Sequence, residues 1–125
     1  MYDIFRKNEI FHREGGPAIT YYDSSGSIVS ESHLIYGRFH REGSPAYREY
    51  NEGNLKLEKY FIKGRLHKKE GPSIIFYFKN QKFREEYYMN DKLHREEGPA
   101  VIYYSPNGES YKKEYYKNGK KNANI

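Results

Sequence analysis

The chain of 125 residues contains no cysteine, so it has neither a disulfide framework nor a thiolate for catalysis or metal binding. It also lacks the roughly 18-residue apolar run of a membrane span, and the charged leader with an apolar stretch that marks a signal peptide. These absences predict a soluble, cytoplasmic protein.

Large aliphatic residues are scarce as well. Leu, Ile, Val and Phe together make up 24 of the 125 residues, and the mean hydropathy is −1.10, close to the composition of disordered chains. The 15 tyrosines favour a folded protein, because a tyrosine can bury its ring while its hydroxyl stays in water. We expect one folded domain, residues 1–125, built around a thin sheet with little interior.

The charge is dense but nearly balanced. The 22 Lys and Arg residues exceed the 17 Asp and Glu residues, which gives a net charge of +5. This mild excess favours anionic partners without requiring them.

An internal repeat organises the chain. Four histidines are separated by 28, 27 and 27 residues, and each lies five residues before a proline. A fixed period of this length is typical of stacked supersecondary units. The four copies contain FHREGGPAITYY, FHREGSPAYREY, LHKKEGPSIIFY and LHREEGPAVIYY. We divide the chain into a partial copy at 1–10, repeats at 11–38, 39–65, 66–92 and 93–120, and a tail at 121–125.

Two turn positions recur in every unit, eleven residues apart. The first holds Gly26, Gly53, Asn80 and Gly108, and the second holds Gly37, Gly64, Asp91 and Gly119. Asn107-Gly108 and Asn118-Gly119 are typical of hairpin turns, in which both central residues adopt positive φ.

The segments between turns are rich in Tyr, Phe and Ile without a helical stripe, and they predict two antiparallel strands per unit, each about 6 to 10 residues long. The predicted fold is all-β, an elongated meander of tandem β-hairpins. The Gly-Pro pair should lie at a kink where the chain changes its strand partner.

The phrases LHREEGPAVIYY and Tyr-Tyr followed by NGK resemble the MORN-repeat superfamily, and more narrowly its LHR-x-x-GPA variant of bacterial and viral proteins. The resemblance covers nearly the whole chain. It implies an elongated, twisted antiparallel sheet with a role in protein association, in some members contact with acidic lipid headgroups, and no catalytic residues. It also makes a viral or mobile-element origin one expectation.

The regular histidines do not predict a metal site. Equivalent atoms of neighbouring two-strand units should lie on the order of 10 Å apart, too far to share a zinc ion. We interpret each histidine and the Arg or Lys after it as making the same structural contacts at every kink. His33 stands in a column otherwise filled by Tyr60, Tyr87 and Tyr115, and we interpret it as a packing substitution.

No catalytic constellation is evident either. An active site needs unlike residues converging at one place, whereas the polar features here recur with the repeat. Glutamates such as Glu85, Glu86, Glu96 and Glu97 lie beside Arg and Lys, which is typical of cross-strand charge pairs on a solvated face. We therefore expect no enzymatic activity and no cofactor or metal.

A tyrosine column is the most informative feature. One strand position is tyrosine in all four copies, and small residues precede it on the same face at Ala18, Ala46, Ser73 and Ala100. Two interpretations stay open: a cross-strand ladder that holds the sheet together, or a shallow trough that binds a partner with nearby positive charge. The candidate binding residues are Tyr22, Tyr50, Tyr77, Tyr104, Arg13, Arg41, Arg48, Arg95, His40, His67 and His94.

These observations favour a non-enzymatic protein that binds a partner protein through its sheet face or an edge strand. The first alternative is sequestration of a small anionic ligand, such as a nucleotide signal, in the Tyr- and Arg-lined trough. The second is charge-driven binding of nucleic acid or acidic membrane, which the modest net charge and the lack of a nucleic-acid motif disfavour. A homo-oligomer also stays open.

Overall fold

The computed structural model describes residues 1–122, in which eighteen β-strands and no helix occur. The strands in chain order are β1 (Tyr2–Ile4), β2 (Arg6–Lys7), β3 (Ile10–Phe11), β4 (Ile19–Tyr22), β5 (Ile28–Ser32), β6 (Leu34–Ile35), β7 (Arg38–Phe39), β8 (Tyr47–Asn51), β9 (Asn54–Lys59), β10 (Phe61–Ile62), β11 (Arg65–Leu66), β12 (Ile74–Phe78), β13 (Gln81–Glu86), β14 (Tyr88–Met89), β15 (Lys92–Leu93), β16 (Val101–Tyr104), β17 (Ser110–Lys117) and β18 (Lys120–Asn122).

Ten of these strands form one antiparallel sheet, in the order β1-β4-β5-β8-β9-β12-β13-β16-β17-β18. The order follows the chain, so each long hairpin lies beside the next. Ile74, for example, lies between Lys59 of the preceding hairpin and Glu86 of its own. The predicted all-β meander of tandem hairpins is confirmed.

Four further hairpins stand apart from the main sheet: β2-β3, β6-β7, β10-β11 and β14-β15. Each consists of two two-residue strands joined by a two-residue turn with positive φ at both positions, such as Lys63 (49°) and Gly64 (81°). The expectation of two strands of 6 to 10 residues per unit was therefore wrong. A unit contains a long hairpin and a short one, because the chain leaves the main sheet, turns back on itself and returns.

The long hairpins end in two kinds of turn. Those at Glu52-Gly53 and Lys79-Asn80 have positive φ at both residues. In the last unit only Gly108 has positive φ, so the prediction for the Asn107-Gly108 pair was wrong at Asn107. The Asn107 side chain instead accepts a hydrogen bond of 3.0 Å from the Glu109 amide. A register shift follows Tyr21, Glu49, Phe76 and Tyr103 in the four long hairpins.

The buried interior is a row of small side chains. Ala18, Ala46, Ser73 and Ala100 have no exposed surface. Ile74 and Val101, which directly follow Ser73 and Ala100 in the sequence, are also buried. The Gly-Pro or Ser-Pro pairs lie in irregular segments that join each short hairpin to the next long strand, as residues 67–73 join β11 to β12. The predicted kink is confirmed, since the chain there changes its partner from β10 to β9 and β13.

Candidate functional site

The tyrosine column forms a ladder of hydrogen bonds across the main sheet. Each hydroxyl donates to a carboxylate on the strand that precedes it in the sheet, and we call this set the tyrosine ladder. Its pairs are Tyr22 with Asp3 (2.9 Å), Tyr50 with Glu31 (3.0 Å), Tyr77 with Glu58 (2.7 Å) and Tyr104 with Glu85.

Basic residues complete the ladder in the middle of the sheet. Arg48 Nε donates to Glu58 at 3.1 Å, so this buried carboxylate is held by an arginine and a tyrosine together. Burial, and then the hydrogen bond to Glu58, raise the pKa of the Tyr77 hydroxyl. An anion approaching these hydroxyls would meet carboxylates, so the geometry does not favour an anion site at the ladder.

The small residues next to the column do not form the floor of a trough. Ala18, Ala46, Ser73 and Ala100 are 0% exposed, so they offer no surface to a ligand. That part of the prediction was wrong, because these side chains are fully buried. The structure also separates the predicted arginines: Arg48 belongs to the ladder, whereas Arg13, Arg41 and Arg95 lie in the loops that carry the His-Arg pairs.

The glutamates of β13 pair with basic residues but are not solvated. Lys82 lies 3.1 Å from Glu85, and Arg84 pairs with Glu86. Both glutamates are only 6% exposed. The predicted cross-strand pairing is wrong at these two positions, because both partners of each pair lie on β13 itself. The predicted solvated face is wrong there as well.

Three of the four repeated histidines cap the second turn of their own unit. Nδ1 of His12 accepts a hydrogen bond from the Tyr36 amide, and His40 accepts one from Lys63; each bond is 2.9 Å long. His94 accepts the Asn118 amide at the same distance. The next amide of each of these turns donates to the carbonyl of the residue before the histidine: Gly37 to Phe11 (2.7 Å), Gly64 to Phe39 (2.8 Å) and Gly119 to Leu93 (2.8 Å).

His67 departs from this arrangement. The Asp91 amide still donates to the Leu66 carbonyl at 3.1 Å, but the buried Nδ1 of His67 has no hydrogen-bond partner among residues 1–122. The predicted shared contacts are thus confirmed for three of the four histidines. Within the described part of the chain, no group of three or more His, Asp or Glu side chains could hold a metal ion.

The basic residue after each histidine makes a second repeated contact, which we call the loop clamp. Arg13, Lys68 and Arg95 each place their charge 4.0 Å from the ring centre of Phe5, Tyr60 and Tyr87, respectively. Arg13 and Arg95 also donate to the carbonyl of the proline four residues later, at 3.3 and 3.1 Å. In these three loops the cation–π contact holds the basic side chain against the ring that directly follows β1, β9 or β13.

An exposed aromatic cluster lies towards the turn ends of the third and fourth long hairpins. Phe78, Phe83 and Tyr111 are 66%, 44% and 68% exposed. The ring centres of Phe76 and Phe83 are 5.9 Å apart, and those of Tyr103 and Tyr111 are 6.2 Å apart. The Arg84 guanidinium links the two pairs, 5.5 Å from Phe76 and 5.0 Å from Tyr103. Phe78 lines the same surface clefts as Phe83. We call these five aromatic residues and Arg84 the aromatic cluster.

The tyrosine column did not predict this cluster, although the repeat contains a signal for it. The positions equivalent to Phe78 are Asp23, Asn51 and Ser105, all polar. A large exposed ring that replaces a polar residue in one unit is a departure that the repeat architecture does not require. Comparing units position by position would have found it.

A cleft of about 550 Å³ separates the loops of the first two repeats. His33 lies in it together with Arg13 and Arg41, two of the predicted arginines, and His40. Burial, and then the charges of Arg41, Arg48 and Arg13, lower the pKa of His33 to about 4. The imidazole is therefore uncharged at neutral pH, in a positive surrounding.

Comparisons with family models, with curated proteins and with solved structures found no match for this chain. The resemblance to MORN-type repeats stays a prediction. Among residues 1–122 there is no helix with the length and apolar character to cross a membrane.

Proposed function

We propose that this chain is a non-enzymatic interaction protein that binds a partner protein through the aromatic cluster on its main sheet. The observation that supports the proposal is the exposure of Phe78, which is 66% accessible where the other units carry polar residues. Aromatic residues and arginine are enriched at protein interfaces, and the cluster contains both. The repeated hydrogen bonds, by contrast, are accounted for within the array.

The charges around the cluster define the partner's chemistry. The Lys79 Nζ lies 5.5 Å from the centre of the Phe78 ring, and the Lys112 Nζ lies 5.1 Å from the centre of the Tyr103 ring. Neither lysine has a carboxylate within ion-pair distance among residues 1–122. A complementary surface would place apolar side chains over the rings and acidic side chains beside the lysines. We propose such an acidic, apolar-centred partner surface.

The test transfers the surface of the second repeat onto the third. The double variant Phe78→Asn, Phe83→Lys carries the residues found at the equivalent positions Asn51 and Lys56, so it should fold as well as the parent. The tagged parent, this variant and a control variant Asn51→Ser are used as baits in cell extracts, and captured proteins are compared by mass spectrometry. We expect a protein that the parent and the control retain and the double variant loses.

The interaction is then measured with the purified partner by calorimetry. We expect the double variant to bind at least tenfold more weakly, since two central aromatic anchors are removed. Equal affinity for the folded double variant and the parent would overturn the assignment to this cluster. A captured protein with a basic contact surface would overturn the proposed partner chemistry.

A further inference from the structure

The second repeat departs from the loop clamp at the ring and at the glycine, although Arg41 keeps the hydrogen bond to the proline carbonyl. In the other three repeats the basic side chain packs on a Phe or Tyr ring, as Arg95 does. It also lies close to the glycine three residues later: a Cβ added to that glycine, Gly98 in the case of Arg95, would lie 3.1 Å from the basic side chain. For Arg41, the position equivalent to the aromatic ring is occupied by His33, and the position equivalent to the glycine is occupied by Ser44. An apolar ring and a bare backbone are thus replaced by an imidazole and a hydroxyl at one place in the array.

The guanidinium groups at this place have unused hydrogen-bonding capacity. Arg41 Nη1 donates to the Pro45 carbonyl at 3.2 Å, and Arg13 Nη1 donates to the Pro17 carbonyl at 3.3 Å. Neither arginine has an ion pair with a carboxylate among residues 1–122, whereas Arg48 is paired with Glu58. Each guanidinium has five N–H donors, so several remain for a ligand.

We propose that the cleft between the first two repeat loops binds a small phosphorylated polyol, with Arg13 and Arg41 holding the phosphoryl group beside His33. Arginine matches the geometry of phosphate oxygens with paired hydrogen bonds, which supports a phosphoryl group as the anion. The cleft of about 550 Å³ is within the size range of small-molecule sites.

The acidic residues at the cleft narrow the ligand class. Glu14 and Glu42 also line it, and both are exposed. Glu14 lies 3.9 Å from His12 Nε2 and its side chain is 81% exposed, so it stands at the outer rim. Carboxylates repel a bare anion but accept hydrogen bonds from hydroxyls. A sugar phosphate, including a nucleotide, offers its phosphate to the arginines and its hydroxyls to these carboxylates.

The surroundings of His33 provide a built-in readout. The titratable and charged groups that line the cleft with it are Arg13, Arg41, His40, Glu14 and Glu42, and the charge of Arg48 also acts on it. The positive charges that lower its pKa would be offset by a bound phosphate, so binding should raise that pKa. Binding of the ligand should in turn strengthen as the pH falls from neutral towards the pKa of His33.

The direct experiment is calorimetric titration of the full chain with ribose 5-phosphate, inorganic phosphate and ribose, together with NMR titration of the His33 ring. We expect ribose 5-phosphate to bind more tightly than inorganic phosphate, ribose not to bind, and the His33 pKa to rise in the complex. Arg41→Gln should weaken binding at least tenfold. The matched control Lys68→Gln removes the basic residue that packs on the Tyr60 ring and should bind as the parent does.

A second variant keeps the proposal testable if Arg41→Gln fails to fold. His33→Tyr restores the ring found in the third and fourth repeats, so it should fold, and it should lose the ligand because the ring fills the space beside Arg41. Absence of binding by the parent, or an equal loss in Lys68→Gln, would overturn the proposal. Binding to vesicles containing phosphatidic acid without binding to ribose 5-phosphate would overturn the small-ligand assignment.

Discussion

The hydroxyl of Tyr77 donates a hydrogen bond of 2.7 Å to Glu58, a carboxylate carried by the preceding long hairpin. The two residues are 19 positions apart, and the same separation joins the other three pairs of the tyrosine ladder. The ladder therefore links one unit to the next, which is the kind of contact on which the stability of a repeat array depends.

Replacing Tyr77 with phenylalanine should lower the free energy of unfolding by about 1 kcal/mol, because it removes one hydrogen bond to a charged acceptor at a half-buried site. Urea denaturation measures this change. Tyr111→Phe is the control, since that side chain is 68% exposed, and it should change stability by less than about 0.5 kcal/mol. If the two variants were equally stable, the ladder would contribute nothing to folding.

The histidine caps lead to a second prediction. His94→Ala should cost about 1–2 kcal/mol, because the Asn118 amide loses its acceptor and the buried ring is removed. His94→Asn should cost less, since the asparagine side chain carries an acceptor oxygen in a position similar to that of Nδ1. The comparison is made by thermal and urea unfolding at neutral pH.

His67→Ala is the matched control for the caps. Its Nδ1 has no partner among residues 1–122, so the variant should lose packing only and be less destabilised than His94→Ala. A larger loss at His67 than at His94 would contradict the capping role.

The pH dependence of stability should contain a contribution from His33. Its pKa is about 4 in the folded chain against an ordinary value of 6.5, so protonation favours the unfolded state. The stabilisation from the neutral ring is complete above pH 6.5 and is lost as the pH falls from 6.5 towards 4. The variant His33→Tyr removes this pH-dependent contribution to stability. We expect the parent to lose more stability than the variant between about pH 7 and about pH 4.5.

This comparison also cancels the titration of the carboxylates, which both proteins share. Parallel stability curves for the parent and His33→Tyr would show that burial and the surrounding arginines do not act on His33 as the structure implies. Because the ring is only partly buried, the difference should be smaller than a fully buried histidine would produce.

Removal of a whole repeat tests the modular character of the sheet. Deleting residues 66–92 joins Arg65 to Leu93 and lets Leu93 take the place of Leu66 opposite Phe61. In the main sheet Val101 then takes the place of Ile74 beside Lys59. We expect a folded but less stable protein whose circular dichroism spectrum is still that of a β protein.

Deleting residues 66–78 is the control, since it removes one strand of the main sheet and breaks the alternation of strand directions. This shorter deletion should abolish the cooperative unfolding transition. If the deletion of the whole repeat also abolished it, the array would behave as one indivisible core.

The local elements of the fold could be predicted because their causes lie within a few residues. The turns at Gly64 and Gly119 follow from residues that tolerate positive φ, and both positions adopt it, at 81° and 83°. The short hairpins were missed for a related reason. Two-residue strands are too short for any periodicity to appear in the sequence.

The candidate sites were harder to predict, because their residues lie far apart in the sequence. The spacing of the histidines indicated that they share a role but not that His94 would accept the amide of Asn118. The small residues on the face of the tyrosine column suggested a trough, yet Ala46 and Ala100 are fully buried. Alternation along a strand identifies a face but does not say whether that face is buried.

The amino-acid sequence alone determined the period, the turns, the β-strands and the positions at which one unit departs from the others. The tertiary structure decided which polar atoms meet across 19 to 24 residues, and hence that Tyr77 binds Glu58 and that His94 caps a turn of the last hairpin. The physical reason is that a repeat pattern encodes recurrence, whereas hydrogen bonds depend on the register and separation of neighbouring units, which exist only once the units stack.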